Sequence, residues 1–146
     1  METISLGCDH AGFELKEKLK IYLELKGYTV KDYGTNSTNS VDYPDYIHTL
    51  ASDINKGIYN KGIIICGSGN GVAITANKYL NVRAALCWET EIAELARKHN
   101  DANIVSLPAR YLDLEQAKSI IDIFLKTAFE NGRHQIRVEK IKNIIL

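Results

Sequence analysis

Residues 62–74, "GIIICGSGNGVAI", decide the fold of this chain. A run of isoleucines without polar alternation predicts a buried strand that ends at Cys66, and alternating glycines then open a helix. A strand that turns through glycines into a helix is half of a βαβ unit. The segment therefore predicts a central strand of a parallel sheet, covered by helices on both faces. It also places a thiol at the carboxyl end of that strand, where ligands bind in such sheets.

The same alternation of short apolar and longer amphipathic segments continues on both sides of this stretch. We predict strands at residues 3–9, 28–34, 62–66, 82–87 and 102–108. The segments between and after them predict helices at residues 12–27, 46–59, 71–80, 89–100, 113–131 and 133–146. Alternating strands and helices are typical of right-handed crossovers. The chain is therefore predicted to be one domain over residues 1–146, an α/β fold with a five-stranded parallel sheet in a three-layer αβα sandwich.

Bulk properties exclude several classes of protein. The 146 residues carry no net charge, which argues against nucleic acid as a partner. We find no apolar segment long enough to cross a membrane and no secretory signal at the N-terminus. Cys8, Cys66 and Cys87 are odd in number and widely spaced, so neither a disulfide framework nor a zinc site is expected. These features predict a cytoplasmic protein.

Polar side chains follow the predicted strands at the edge where their carboxyl ends meet. Because ligands bind at this edge, these side chains are the first candidates for a site. The set contains an acid, an imidazole, a phenol, a thiol and a guanidinium: Asp9, His10, Tyr43, Cys66 and Arg110. Trp88 and Glu89 follow the fourth predicted strand in the same way.

The glycine loop after Cys66 allows two interpretations. A dinucleotide fingerprint needs glycine at its sixth position, and Val72 stands there, so a nicotinamide or flavin site is disfavoured. Backbone N–H groups at such a turn can instead hold an anion, either a phosphate or an enediolate formed during a reaction. A tight strand-to-helix turn without a ligand is the alternative.

Cys66 itself also allows two interpretations. Cysteines in strands are usually small buried hydrophobic residues, and that interpretation suits Cys8 and Cys87. Next to free N–H groups at the start of a helix, however, the thiolate form is favoured. A thiolate could act as a nucleophile or as a base, and a base would need a neighbouring group that holds the resulting oxyanion. The glycine loop supplies such a group.

Two further groups lie near predicted helix ends. His99 and Asn100 close the helix at 89–100, and we expect the His99 side chain to reach the ligand edge. Arg133 and Arg137 are four residues apart and share a helical face, with His134 beside them. Such arginines either belong to a solvated face or form a clamp for a phosphate group.

Seven segments together resemble the ribose-5-phosphate isomerase B family, which also contains allose-6-phosphate isomerases and galactose-6-phosphate isomerase subunits. They are "GCDHAGFELK", "DYGT", "VDYPDY", "ICGSGNGVAITANK", "RAALC", "ARKHNDAN" and "GRHQIRVEKI", and the similarity extends from about Ile4 to Ile141. The resemblance implies a Rossmann-like fold and an aldose–ketose isomerase that needs no cofactor and no metal. It also implies a homodimer or a dimer of dimers with active sites at the interface, to which the C-terminal helix at about 133–146 contributes.

The resemblance also implies roles for individual residues. Cys66 resembles the base that moves a proton between C1 and C2, and Ser68 the hydroxyl that handles the O1 and O2 protons. Many members have threonine at that position. The loop resembles the enediolate cradle, and it comprises Gly67, Gly69, Asn70 and Gly71 besides Ser68. Some members use a glutamate as base, but "GVAITANK" contains no acid, so this chain is of the cysteine type.

Substrate-binding roles follow from the same resemblance. His99 resembles the residue that opens the furanose ring, and three residues resemble ligands of the sugar hydroxyls: Asp9, Tyr43 and Asn100. His10 and Arg110 resemble phosphate ligands of one subunit. Arg133 and Arg137, with His134 beside them, resemble ligands that reach over from the other subunit.

The function predicted from the sequence is the interconversion of ribose 5-phosphate and ribulose 5-phosphate in the pentose phosphate pathway. Allose 6-phosphate or galactose 6-phosphate is the alternative substrate. A sugar-phosphate binding module without catalysis would retain the glycines and arginines but would not need a thiol at residue 66. A thiol redox protein is disfavoured because no resolving cysteine stands at motif spacing.

Overall fold

The computed structural model of the chain describes residues 2–145. The strands are β1 (Thr3–Cys8), β2 (Thr29–Asp32), β3 (Lys61–Cys66), β4 (Ala84–Leu86) and β5 (Ile104–Pro108). The helices are α1 (Phe13–Leu25), α2 (Tyr43–Asn55), α3 (Asn70–Ala76), α4 (Thr90–Asn100), α5 (Leu114–Lys126) and α6 (Arg133–Ile141). Every predicted strand and helix is present in the predicted order. The ends of the predicted domain, residues 1 and 146, lie outside the described residues.

The strands form one parallel sheet in the order β2-β1-β3-β5-β4. β3 is central, as the uninterrupted isoleucine run predicts. After β1 the chain moves outward to β2 and then returns to β3 on the other side of β1. The loops after β1 and β3 therefore leave the sheet in different directions, and a crevice opens between them at the carboxyl edge. This crevice contains the candidate site.

Helices cover both faces of the sheet, which confirms the three-layer αβα sandwich. One core cluster joins the sheet to α1, α4 and α5, and the other joins it to α2 and α3. Successive residues of β3 alternate between the two, so that Ile63 and Ile65 belong to the first cluster and Ile64 and Cys66 to the second. The three isoleucines are fully buried, and each contributes about 1.5–3 kcal/mol of transfer free energy. None of the helices within residues 2–145 has the length and apolar character to cross a membrane.

Several helices end earlier than the sequence pattern predicts. α3 ends at Ala76 rather than at residue 80, because the Asn77 side chain pairs with the backbone at the start of β4. Its Nδ2 donates to Ala84 O at 2.9 Å, and its Oδ1 accepts from Ala84 N at 2.8 Å. α5 ends at Lys126 rather than at residue 131, and α6 ends at Ile141.

A buried ion pair ties α1 to the end of β2. The Lys16 side chain is fully buried, and its Nζ donates to both carboxylate oxygens of Asp32, at 2.7 and 2.8 Å. Asp32 also accepts a hydrogen bond from Gly34 N at 2.9 Å, so the pair orders the start of the following loop. Burial opposes ionisation of Asp32, but the Lys16 and Gly34 hydrogen bonds outweigh it and lower its pKa below the ordinary value.

We expect Asp32→Asn to lower the free energy of unfolding by about 3 kcal/mol at pH 7, because it leaves the buried Lys16 without its main partner. The pKa of Asp32 is lowered on folding, so the stabilisation is present above the unfolded value of about 4 and is lost below it. The difference between variant and wild type in urea unfolding should therefore shrink as the pH falls below about 4. Glu115→Gln removes an exposed pair with Lys118 and is the control, with an expected cost under about 1 kcal/mol. Equal costs for the two variants would contradict this interpretation.

Candidate active site

A cleft of about 810 Å³ opens at the carboxyl ends of β1 and β3. It brings together eight of the residues predicted from the sequence: Asp9, His10, Tyr43, Cys66, Gly67, Ser68, Gly71 and Arg110. Residues 40–45, which join the β2–α2 loop to α2, form another wall. The cleft therefore combines a thiol, an acid, an imidazole, a phenol and a guanidinium around one glycine loop.

Cys66 forms part of the cleft wall, and its side chain contacts the loop. It is the last residue of β3, and 5% of its surface is exposed. The Gly69 N–H donates a hydrogen bond to Cys66 Sγ at 3.2 Å. An N–H donor at this distance stabilises negative charge on a sulfur atom.

Gly69 makes the turn that allows this contact. Its φ of +76° lies in the left-handed region, and a Cβ there would lie 2.4 Å from Leu86 Cδ1. Ser106, fully buried on β5, donates from Oγ to Gly69 O at 2.7 Å. Ser106 is not among the residues predicted from the sequence, because a serine inside an apolar strand belongs to no recognisable motif.

The other two glycines of the loop are needed for space. A Cβ on Gly67 would lie 3.0 Å from the Arg110 guanidinium, and a Cβ on Gly71 would lie 2.5 Å from the Tyr43 ring. Arg110 also donates from its backbone N to Gly67 O at 3.0 Å. The guanidinium and the phenol therefore lie directly on the loop. Between them Ser68 is exposed to the cleft, and its Oγ accepts a hydrogen bond from Asn70 N at 3.3 Å.

Asp9 and His10 are held by backbone N–H groups. Asp9 Oδ1 accepts from Ala11 N at 2.9 Å and from Gly12 N at 3.2 Å, so this carboxylate caps the turn before α1. His10 Nδ1 accepts from Val41 N at 3.1 Å. In the neutral ring the proton must then be on Nε2, which leaves an N–H donor for an anion in the cleft.

The other two cysteines are confirmed as buried hydrophobic residues. Cys8 and Cys87 are both fully buried, and burial raises the pKa of each thiol to about 12. Both therefore stay protonated at neutral pH.

Gly69 and Asn70 belong to the loop itself, and the other five predicted residues lie on the opposite side of the molecule. α4 runs antiparallel to the strands, so its last residues, His99 and Asn100, lie at the amino edge of the sheet, near Arg83 and Ala102. The expectation that His99 reaches the ligand edge of its own chain is therefore wrong. α6 packs against α4, and it carries Arg133, His134 and Arg137 beside His99. We call these five residues the amino-edge cluster.

Two histidines of the amino-edge cluster are stacked. The rings of His99 and His134 are 4.2 Å apart between centroids and 10° from parallel, and His134 Nε2 lies 3.5 Å from Glu130 Oε1. Burial lowers the pKa of His134 below its ordinary value, and the nearby His99 and Arg133 act in the same direction. The neutral form of the His134 imidazole is therefore favoured, and this form can both donate and accept a proton.

His99, Glu130 and His134 could also hold a metal ion, since their ligand atoms lie within 4.8 Å of one another. This grouping is not predicted from the sequence, because the two histidines belong to different helices. An imidazole binds a metal in the plane of its ring, and two stacked parallel rings do not direct their nitrogens at a common point. The observed arrangement therefore needs a ring rotation before it can bind a metal.

Comparison with known proteins identifies the family. The family model described as Ribose/Galactose Isomerase matches residues 4–141. The chain is 44% identical over 144 residues to ribose-5-phosphate isomerase B of Escherichia coli (strain K12), covering 99% of this chain and 97% of that protein. The chain belongs to the ribose/galactose isomerase family, which confirms the resemblance that its motifs indicate.

Solved structures agree with this assignment. A ribose 5-phosphate isomerase from Thermotoga maritima superposes with a TM-score of 0.96 at 48% identity, covering 98% of this chain and 99% of that one. Ribose-5-phosphate isomerase B from Mycoplasma genitalium, solved with bound ribulose-5-phosphate, gives a TM-score of 0.92 at 39% identity, covering 97% and 94%. The Rossmann-like fold is thereby confirmed.

We expect Gly69→Ala to destabilise the fold more than Gly57→Ala. Both glycines have a φ of +76°, but a Cβ on Gly57 would meet nothing within 4 Å. Gly57→Ala should cost about 1 kcal/mol for the left-handed backbone alone. Gly69→Ala should add about 1–3 kcal/mol for the collision with Leu86. Urea unfolding of both variants measures the difference, and equal costs would show that the turn has room for a side chain.

Proposed function

We propose that this chain is an aldose–ketose isomerase that interconverts ribose 5-phosphate and ribulose 5-phosphate through an enediolate. The observation that carries the proposal is the contact of Cys66 Sγ with the Gly69 N–H inside a cleft that also contains Arg110 and His10. This arrangement combines a base, a group that stabilises the charged form of that base and cationic groups for a phosphate. The family to which the chain belongs and the activity of its named relatives support it.

The chemistry follows from these positions. In the open-chain aldose, the Cys66 thiolate removes the proton from C2, and the electron pair moves through the C1–C2 bond onto O1. The loop N–H groups stabilise the negative charge on the enediolate oxygens. Ser68 Oγ exchanges the proton between O1 and O2, and Cys66 then returns its proton to C1. The product is the ketose, and the thiolate is regenerated.

The phosphate and the hydroxyls have separate partners in the cleft. The His10 Nε2–H and the Arg110 guanidinium are the donors for the phosphate, because both present N–H groups to the cleft. Asp9 Oδ2 accepts hydrogen bonds from the sugar hydroxyls, and the Tyr43 hydroxyl donates a hydrogen bond to them.

The length of the preferred sugar can be measured by comparing kcat/KM for ribose 5-phosphate and allose 6-phosphate. We expect kcat/KM to be higher for the five-carbon substrate.

We further propose that two copies of the chain share each active site. The amino-edge cluster lies at the edge of the sheet opposite to Cys66 of the same chain, so a second copy must supply the cluster to the cleft. The cluster consists of His99, Asn100, Arg133, His134 and Arg137. Next to Asn100 of this cluster, a hollow of about 570 Å³ is lined in part by the apolar side chains of Leu80, Ile141 and Ile144, which are more than half exposed. A homodimer, alone or as part of a dimer of dimers, would cover this surface with the segment at about 133–146. Its cellular place would be the cytoplasm and the pentose phosphate pathway.

We expect Cys66→Ala to lower kcat for ribose 5-phosphate by a factor of several hundred or more, because the base is removed. Affinity for the phosphosugar, measured by calorimetry, should change little, since the phosphate and hydroxyl ligands remain. Cys87→Ala, which removes a buried thiol away from the cleft, should leave kcat unchanged. An active Cys66→Ala enzyme would show that another group is the base.

Hybrid dimers test the shared site. Cys66→Ala and His99→Ala subunits, co-expressed with different tags, should form a hybrid in which one site has both wild-type residues and the other has neither. Each homodimeric variant should be nearly inactive, and the hybrid should recover about half of the wild-type kcat per dimer. If both residues acted within one chain, the hybrid would be as inactive as its parents. A wild-type protein without isomerase activity would instead contradict the proposed reaction.

A further inference from the structure

Ser106 is a buried polar residue to which the reaction described above assigns no role. It lies in the middle of β5, fully buried, between apolar neighbours. Its side chain faces the α2–α3 layer, since Val105 and Leu107 belong to the opposite core cluster. The Oγ donates to Gly69 O at 2.7 Å, whereas the helical bond from Ala73 N to the same oxygen is 3.4 Å long. The hydrogen bond from the serine hydroxyl is therefore the shorter of the two hydrogen bonds that Gly69 O accepts.

The bond to Gly69 O fixes the orientation of a whole peptide unit. In a trans peptide the C=O and the following N–H point in opposite directions. With Gly69 O directed at β5, the Asn70 N–H points the other way and donates to Ser68 Oγ at 3.3 Å. The N–H of Gly69 itself donates to Cys66 Sγ at 3.2 Å. One buried hydroxyl thus directly orients the Asn70 N–H, which lies in the same peptide unit as Gly69 O. It also anchors one side of the Gly69 Cα, whose other side carries the N–H that contacts Cys66 Sγ.

We propose that Ser106 is a positioning residue for the isomerase, holding the Gly69–Asn70 peptide so that the Asn70 N–H faces Ser68 Oγ and the Gly69 N–H, on the other side of the same Cα, faces Cys66 Sγ. The proposal rests on the proposed function. Without the hydroxyl, the backbone on both sides of the Gly69 Cα can rotate, because Gly69 has no side chain to resist changes of φ and ψ. A rotated peptide would direct its carbonyl oxygen toward the cleft, where negative charge develops on the enediolate. The cost would then fall on the transition state rather than on substrate binding.

Ser106→Ala tests this role, and the chain offers a matched control. Ser5 is also fully buried, lies on β1 on the other side of β3 and faces the same layer, but its Oγ makes no hydrogen bond to the glycine loop described above. We expect Ser106→Ala to lower kcat about 10- to 100-fold with KM changed less than about twofold. Ser5→Ala should change neither constant. Ser106→Thr, which keeps the hydroxyl, should retain most of the activity.

A second measurement does not depend on isomerase activity. Cys66 is the accessible cysteine, because Cys8 and Cys87 are fully buried, so the rate of alkylation by iodoacetamide reports on its thiolate. Loss of the Gly69 N–H contact should slow alkylation at pH 7 in Ser106→Ala and leave its rate unchanged in Ser5→Ala. If Ser106→Ala matches Ser5→Ala in kcat and in the rate of alkylation, the positioning role is overturned. If the wild type does not isomerise ribose 5-phosphate but alkylation is still slowed in Ser106→Ala, the proposed function fails and the positioning of Cys66 stands.

Discussion

The left-handed turn at Gly69 is the constraint on which the rest of the cleft depends. It lets the chain leave β3 and enter α3 while the loop stays in contact with Cys66 on one side and with Ser106 on the other. Arg110 and Tyr43 can lie on the loop because the neighbouring glycines carry no side chain. The alternating glycines of this segment therefore satisfy three separate steric requirements. None of these three requirements is the close approach of the backbone to a pyrophosphate, which the glycines of a dinucleotide-binding loop make possible.

The parallel sheet imposes a second constraint on the site. The residues that follow each parallel strand lie at the carboxyl edge of the sheet. The helices that connect the strands run in the opposite direction and end at the amino edge. His99 ends α4 and Cys66 ends β3, so the two lie at opposite edges of the chain that contains both. If both act on one substrate, the architecture itself requires a second copy. The exposed apolar side chains around Ile141 and Ile144 are consistent with that requirement.

The sequence predicts the architecture well because apolar periodicity and glycine position report directly on strands, helices and turns. Residues that directly follow strands, such as Asp9 and Arg110, are also predicted correctly as neighbours, since a parallel sheet gathers its strand ends. The prediction fails for His99, because the pattern does not show at which edge a helix residue lies. It also misses Ser106 and the buried Lys16, whose partners Gly69 and Asp32 are distant in sequence. Such contacts depend on register and packing, which periodicity alone does not specify.

The three cysteines occupy similar positions in the sequence pattern but differ in burial and in access to the cleft. Cys8 and Cys66 end strands and Cys87 directly follows one, so the sequence presents all three as strand-end thiols. Complete burial holds Cys8 and Cys87 in the protonated form, with the pKa raised to about 12. Cys66 borders the cleft and accepts an N–H from the glycine turn. A sulfur that removes a proton from carbon needs access to that carbon and a donor that supports its charge, and these two requirements are why the proposed reaction is assigned to Cys66.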